Sequence, residues 1–208
     1  GITYTYEGTG STNYAASTTA PTKAGTYSIT PSAVTFSDAA AAGRYFAINY
    51  VAGSFTINKK ALTVTPANTN VSYGTTSPTF TPTVTGFIAG ESASNALSYV
   101  APTCSSSGYS ATSVATTTST ITCSGGSATN YSFTTTATAT ATVTQAPLTV
   151  SPVAKTVTYG EAAPTFTFAV NGWVNSQTAS TAASYVAPTC SAPSYTRTTA
   201  VGTSVSIT

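Results

Sequence analysis

Threonine alternates with apolar residues along most of this chain, and such alternation predicts half-buried β-strands. In residues 2–6 the side chains at every second position are Ile, Tyr and Tyr, with Thr between them. Residues 26–30 and 80–84 follow the same pattern. Because β-branched and aromatic side chains fit a pleated surface, we expect a chain built mainly of strands.

Further segments read in the same way, with one exception. Strands are predicted within residues 45–57 (two strands around Gly53), 62–64, 71–73, 97–102, around Ile121 and within 131–143. The exception is 89–97, AGESASNAL, whose small residues predict one or two helical turns.

The chain also repeats itself. Residues 71–87 read VSYGTTSPTFTPTVTGF and residues 157–173 read VTYGEAAPTFTFAVNGW, an offset of 159 − 73 = 86. A fixed period of this size indicates an array of similar domains. We predict that the matched positions form the repeat core, because they recur beside Gly and at strand spacing; they are Tyr73, Pro78, Phe80, Gly86 and Phe87, matched by Tyr159, Pro164, Phe166, Gly172 and Trp173.

The period divides the chain into three predicted repeats. Residues 1–58 (the first repeat) are the C-terminal part of one unit, 59–144 (the second repeat) are complete, and 145–208 (the third repeat) are the N-terminal part of another. About 86 residues suffice for a small core. The expected fold class is all-β, or mostly β with one short helix, as a tandem array of small β-sandwich or β-grasp-like domains. The first repeat carries strands that the third lacks, so head-to-tail completion between copies is a further hypothesis.

The three cysteines follow the same register. Cys104 and Cys123 are 123 − 104 = 19 residues apart, and Cys104 matches Cys190, so Cys123 would match position 123 + 86 = 209. We therefore predict a Cys104–Cys123 disulfide, with Cys190 unpaired and its partner expected just after residue 208. The alternative is free thiols in a cytosolic protein. A disulfide favours an oxidising, extracellular location.

Composition narrows the function classes. Only 5% of the 208 residues are charged, against about 25% in an ordinary soluble domain, so Ser and Thr must provide the polar surface. The 11% aromatic content argues against disorder. A net charge of +2 provides no basic face for nucleic acid, and no run approaches the roughly 20 apolar residues of a membrane span.

The residues needed for catalysis are scarce. The chain has no His, which is the most frequent general base and metal ligand. Its acidic residues, Glu7, Asp38, Glu91 and Glu161, do not cluster in sequence. We expect no enzyme activity, no catalytic or metal site and no cofactor.

The repeated motifs resemble the MBG-type repeat domains of large bacterial surface proteins. The segments that carry the resemblance are YGTTSPTF, VTGF and GESAS in the second repeat, and VTYGEAAPTF and VNGW in the third. The first repeat, with TYTYEGTGSTNYAASTTAPTKAGTYSIT, is similar to the second half of related repeats. The resemblance covers nearly the whole chain and implies a secreted, adhesin-like protein of many tandem β domains, with no catalytic residues to transfer.

Two functions are expected from these observations. The first is a structural stalk or filament on the cell surface, whose partners are neighbouring repeats of the same chain and other copies. The alternative is an adhesin module that binds a glycan or a host protein. Clustering of Tyr14, Tyr27, Phe36 and Phe46 on one surface would favour the alternative.

Overall fold

The computed structural model describes residues 1–36, 44, 48–135 and 137–208, and these residues form twelve strands and no helix. The strands are β1 Thr3–Gly8, β2 Gly25–Ser32, β3 Gly53–Ile57, β4 Lys60–Pro66, β5 Thr69–Ser72, β6 Pro82–Thr85, β7 Thr103–Ser105, β8 Thr118–Ser124, β9 Tyr131–Thr134, β10 Ala139–Thr144, β11 Thr149–Pro152 and β12 Phe168–Asn171. The chain is therefore all-β over its described residues, as the alternation predicted.

The strands form four sheets. The first repeat holds the antiparallel sheet β1-β2-β3, and the third repeat holds the pair β11-β12. The second repeat holds two sheets, in the orders β5-β10-β8-β7 and β6-β4-β9. Each of its two sheets contains a strand that alternates buried with exposed residues, β4 in one and β8 in the other. This one-sided burial is what a β-sandwich requires.

Leu62 and Val64 of β4 are fully buried, since every second side chain of a strand faces the same side. Leu62 belongs to a core cluster with Ala96, Ala128 and Tyr131. Partly buried apolar side chains pack against this cluster; they are Val84, Phe87, Tyr99 and Phe133.

Contacts divide the chain into two compact units. The first comprises Gly1–Ala67, Thr79–Ser105 and Ile121–Ala139, and the second comprises Asn68–Pro78, Ser106–Thr120 and Thr140–Thr208. This division does not follow the boundaries 58/59 and 144/145, which remain a prediction from the sequence period.

The period of 86 is visible in the strands themselves. Moving β6 forward by 86 residues gives β12 (82 + 86 = 168 and 85 + 86 = 171). Thr63 pairs with Thr85 between β4 and β6, and the shifted pair, Thr149 with Asn171, is found between β11 and β12. The second and third repeats therefore share one strand register.

No helix forms at 89–97, where one or two helical turns were predicted. A single turn closes there, since the Ala96 backbone N–H donates to the Ser92 carbonyl (2.9 Å). Polar side chains bind the backbone around this turn. Asn95 accepts a hydrogen bond from the Ser92 backbone N–H through Oδ1 (2.6 Å) and donates another to the Gly90 carbonyl through Nδ2 (2.8 Å).

The strand predicted at 97–102 is also wrong. Ser98 has a φ of 55°, which breaks the extended backbone. Only Val100 makes a strand-like bridge, to Ser127. In the predicted segment 45–57, residues 45–47 lie outside the described residues, and the later part contains β3.

Candidate functional site

The predicted disulfide joins the short strand β7 to β8. Cys104 stands directly opposite Cys123 in this antiparallel pair, with an S–S distance of 2.02 Å. Cys123 is buried, and its neighbour Ile121 on the same face of β8 is fully buried. The disulfide therefore fixes the edge strand β7 to a strand that carries core residues.

Cys190 is a free, partly exposed thiol. Its neighbour Ser191 exchanges two backbone hydrogen bonds with Thr208, of 2.8 and 2.9 Å. This pair is the β7–β8 pair Ser105–Thr122 shifted by 86 residues. In that register a residue after Thr208 would stand opposite Cys190, so a cysteine at position 209 remains a prediction with a geometric basis.

The Tyr-Gly motif forms a turn that anchors a distant loop. Gly74 donates its backbone N–H to the Ala111 carbonyl (3.1 Å), and the Tyr109 hydroxyl donates to the Thr75 carbonyl (2.6 Å). Gly74 has a φ of 90°, a conformation that favours glycine. Two hydrogen bonds thus tie the turn to the loop of residues 106–117.

The third repeat reproduces this anchor. Gly160, also with a φ of 90°, donates to the Arg197 carbonyl (3.1 Å), and the Tyr195 hydroxyl donates to the Glu161 carbonyl (2.8 Å). Tyr109 and Tyr195 also match at the offset of 86 (195 − 109 = 86), although no role was predicted for them. Their recurrence at the same offset was the available signal.

The second shared feature is the Gly-aromatic turn. Gly86 has a φ of 105°, and a Cβ atom there would lie 3.0 Å from the Ala61 carbonyl oxygen. The turn directs Phe87 toward Tyr99, with ring centroids 5.9 Å apart. In the third repeat Trp173 lies 5.1 Å from Tyr185. Substitution of Phe by Trp therefore preserves an aromatic pair.

The predicted repeat-core residues are not all buried. In the second repeat Phe80 is buried, Tyr73, Pro78 and Phe87 are half-buried, and Gly86 is exposed because it forms a turn.

In the third repeat Pro164, Phe166 and Trp173 are half-buried and Gly172 is exposed. Tyr159 differs from the expectation, since its side chain is 61% exposed. Its counterpart Tyr73 donates its backbone N–H to Thr144 at the end of β10. No described strand of the third repeat takes the place of β10, so Tyr159 has no counterpart of this hydrogen bond and no neighbouring strand beside its side chain.

One carboxylate has a defined partner in the core. The Tyr131 hydroxyl donates to Glu91 Oε2 (2.6 Å) and accepts from the Ile88 backbone N–H (3.2 Å). Burial, followed by the hydrogen bond to Glu91, raises the pKa of the Tyr131 hydroxyl above its ordinary value of 10.0, although the Ile88 N–H acts in the opposite direction. Glu91 therefore holds a core tyrosine, a structural role.

The remaining chemistry is sparse. Within the described part of the chain, no three His, Cys, Asp or Glu side chains gather as metal ligands. Asp38 lies outside the described residues. Among the described residues, no helix is long and apolar enough to cross a bilayer.

Comparison with protein families agrees with this geometry. A family profile described as MBG domain (YGX type) matches residues 62–142 and 148–207. Searches of curated proteins and of solved structures gave no match. The Tyr-Gly turn described above occurs in both matched segments. The family match, together with the Cys104–Cys123 disulfide, favours a repeat domain of surface proteins. The chain belongs to the MBG domain family of the YGX type.

Proposed function

We propose that this chain is a structural segment of an extracellular bacterial surface protein, in which tandem MBG repeats form a stalk or filament. The observation that carries the proposal is the short, hydrogen-bonded connection between β3 of the first repeat and β4 of the second. A stalk needs junctions that resist bending, and this junction is short and has a hydrogen bond across it.

Only residues 58 and 59 connect β3 to β4. Lys60 donates its backbone N–H to the Asn130 carbonyl (2.9 Å), and Lys59 Nζ donates to the Ala128 carbonyl (2.9 Å). The Ala24 backbone N–H reaches across from the first repeat to Asn130 Oδ1 (3.0 Å). The first two bonds fix the start of the second repeat, and the third joins the two repeats. A two-residue connection with such a bond beside it leaves little of the freedom that a flexible linker needs.

Three further observations support the proposal. The disulfide between Cys104 and Cys123 suits an oxidising compartment. A surface with few charges limits repulsion between neighbouring repeats. The Glu91 carboxylate accepts a hydrogen bond from Tyr131, and Glu7 and Glu161 belong to different repeats. This distribution of the carboxylates supports a structural role over catalysis.

The alternative, an adhesin module that binds a glycan or a host protein, has less support. Of the aromatic residues that would favour it, Tyr27 is buried and Tyr14 packs edge-on against it at 5.7 Å. Phe36 is 40% exposed, and Phe46 lies outside the described residues. The three described residues thus do not form one exposed aromatic surface.

Electron microscopy of the native, unprocessed protein at the cell surface tests the proposal. The expected result is thin filaments or stalks with a regular longitudinal repeat, which antibodies against residues 59–144 label along their length. Labelling confined to a distal tip would contradict the structural role and favour the adhesin. A glycan array with the 208-residue chain is the matching test, and the stalk proposal expects no saturable binding.

A further inference from the structure

The Tyr-Gly turn of the second repeat contacts the third repeat as well as its own loop. In the second contact unit, residues 68–78 and 106–120 are grouped with the whole third repeat. Val174 and Asn175, which follow the Gly-aromatic turn of the third repeat, lie against Gly74 and Ala111 of the second. These four residues are here called the turn junction.

Gly74 leaves the space that Val174 occupies. A Cβ atom on Gly74 would lie 2.5 Å from the Val174 Cβ and 2.6 Å from its Cγ2. Carbon atoms in favourable contact are roughly 3.5–4.0 Å apart, so these positions cannot both be filled. Both residues are half-buried. A side chain at position 74 would therefore displace Val174 and the turn that carries it.

The Ala111 carbonyl joins the two sides of the turn junction. It accepts a hydrogen bond from the Gly74 backbone N–H (3.1 Å) and another from Asn175 Nδ2 (2.9 Å). A carbonyl oxygen has two lone pairs and can accept both bonds. The bond that anchors the Tyr-Gly turn within the second repeat thus shares its acceptor with the bond to the third repeat.

The backbone of the third repeat is strained where it makes this contact. Asn175 and Ser176 have φ values of 52° and 57°, a conformation that is uncommon outside glycine and that Asn tolerates better than most residues. At the matched positions of the second repeat, Ala89 and Gly90, only the glycine has a positive φ. Strain of this kind persists where surrounding contacts hold it, and the bond from Asn175 to Ala111 is such a contact.

We propose that the Tyr-Gly turn is a docking site for the following repeat of the same chain, with Gly74 and Asn175 as its positioning residues. Residues 145–148 alone connect β10 to β11. Because this short connection keeps the two repeats close together, one apolar contact and one hydrogen bond suffice for docking. A second attachment beside the connection removes the freedom to rotate about it. The docking does not depend on the stalk role, since it concerns only how two repeats join.

NMR spectroscopy of the 208-residue chain tests the docking. The native chain should show nuclear Overhauser contacts between the Gly74 α protons and the Val174 methyl groups. Backbone amide relaxation should give β11 and β12 the same rotational correlation time as β5 and β10. Gly74→Ala should remove these contacts and shorten the correlation time of β11 and β12 relative to β5 and β10, because the added methyl group displaces Val174.

Gly160→Ala is the matched control. Gly160 has the same φ of 90° and also donates its N–H to a loop carbonyl, that of Arg197. A Cβ atom there would meet no atom of the described residues within 4 Å. This variant carries the backbone strain of the substitution without the clash, so the shared correlation time should remain.

Asn175→Asp tests the other side of the turn junction. Asp also tolerates a positive φ, but it cannot donate to the Ala111 carbonyl. Docking should weaken about tenfold, as expected for the loss of one hydrogen bond. Asn175 is exposed, so this variant should fold even if Gly74→Ala does not.

Three results would overturn the proposal. These are absence of the Gly74–Val174 contacts in the native chain, equal loosening by Gly74→Ala and Gly160→Ala, and a shared correlation time in both Gly74→Ala and Asn175→Asp. The second result would assign the effect to backbone strain alone. A rigid turn junction in a protein that forms no stalks would support the docking and contradict only the stalk role.

Discussion

At the scale of the residue, Tyr131 shows how a single hydroxyl couples the core to pH. It is 2% exposed, donates to Glu91 and accepts from Ile88. The folded state raises the pKa of this hydroxyl, so the folded chain holds the proton more tightly than the unfolded chain. The resulting stability is fully present below the unfolded value near pH 10, and it is lost as the pH rises through the folded value.

We therefore expect the free energy of unfolding of the native chain to fall more steeply above about pH 10 than that of the Tyr131→Phe variant. Urea unfolding at a series of pH values from neutral to strongly alkaline measures this slope. Glu91→Gln keeps an acceptor but removes the charge, and its slope should lie between the two. Parallel slopes for all three proteins would rule out the coupling.

The disulfide gives a second residue-scale prediction. Replacing both Cys104 and Cys123 by Ala opens a loop with a sequence separation of 19, and this should lower the free energy of unfolding by about 3 kcal/mol on the chain-entropy model. Cys190→Ser is the matched control and should leave the unfolding midpoint unchanged, because Cys190 has no disulfide partner. An unchanged midpoint in the double variant would show that the disulfide does not restrain the unfolded chain.

At the scale of the element, β4 and β11 are corresponding strands of the second and third repeats, and their environments differ. Leu62 of β4 is fully buried in the core cluster, and its counterpart Leu148, which directly precedes β11, is 40% exposed. Leu62→Ala should therefore destabilise the chain by about 2–5 kcal/mol, because it removes a buried side chain and leaves a cavity. Leu148→Ala should cost less than about 1 kcal/mol. Urea unfolding compares them, and equal costs would contradict the different packing of the two strands.

The strands and turns also show which secondary structure could be predicted from the sequence. The alternation in residues 2–6 and 26–30 predicted β1 and β2. In β2 it also marks burial, since Tyr27 is buried and Thr26 is exposed, whereas Ile2 and Tyr4 at the start of the chain are exposed. The strand predicted at 97–102 failed because Ser98 adopts a positive φ, which depends on the turn around it and leaves no periodic signal. The segment 89–97 closes only one helical turn, between Ser92 and Ala96. Gly90 and Ser98 have a positive φ on either side of it, which does not continue a right-handed helix, and composition alone does not indicate those angles.

The candidate site was predictable where it followed the repeat. The disulfide came from matching Cys104 with Cys190, and the Tyr-Gly and Gly-aromatic turns came from the same offset. The hydroxyl bonds of Tyr109 and Tyr195 were missed because they join residues 34 apart in sequence. The exposure of Tyr159 was missed because burial depends on which strands cover a side chain, whereas sequence matching assumes that equal residues have equal neighbours.

At the scale of the whole molecule, burial is unevenly distributed along the chain. The buried apolar residues of the described chain lie between Pro21 and Val143, and no described residue after Val143 is buried. Local opening is easiest where few apolar contacts must be broken. The third repeat should therefore open more readily than the second, even though the two share one strand register.

Native-state hydrogen exchange tests this difference on matched positions. The pair Thr63–Thr85 and the pair Thr149–Asn171 have the same place in the repeat, so their amides differ mainly in the packing around them. We expect amides in β4 and β6 to exchange about a hundredfold more slowly than those in β11 and β12, a difference in opening free energy of about 2.8 kcal/mol. Reduction of the disulfide should narrow the gap, because it weakens only the second repeat. Equal protection of the two pairs in the oxidised chain would show that shared strand register, rather than burial, governs local stability in these repeats.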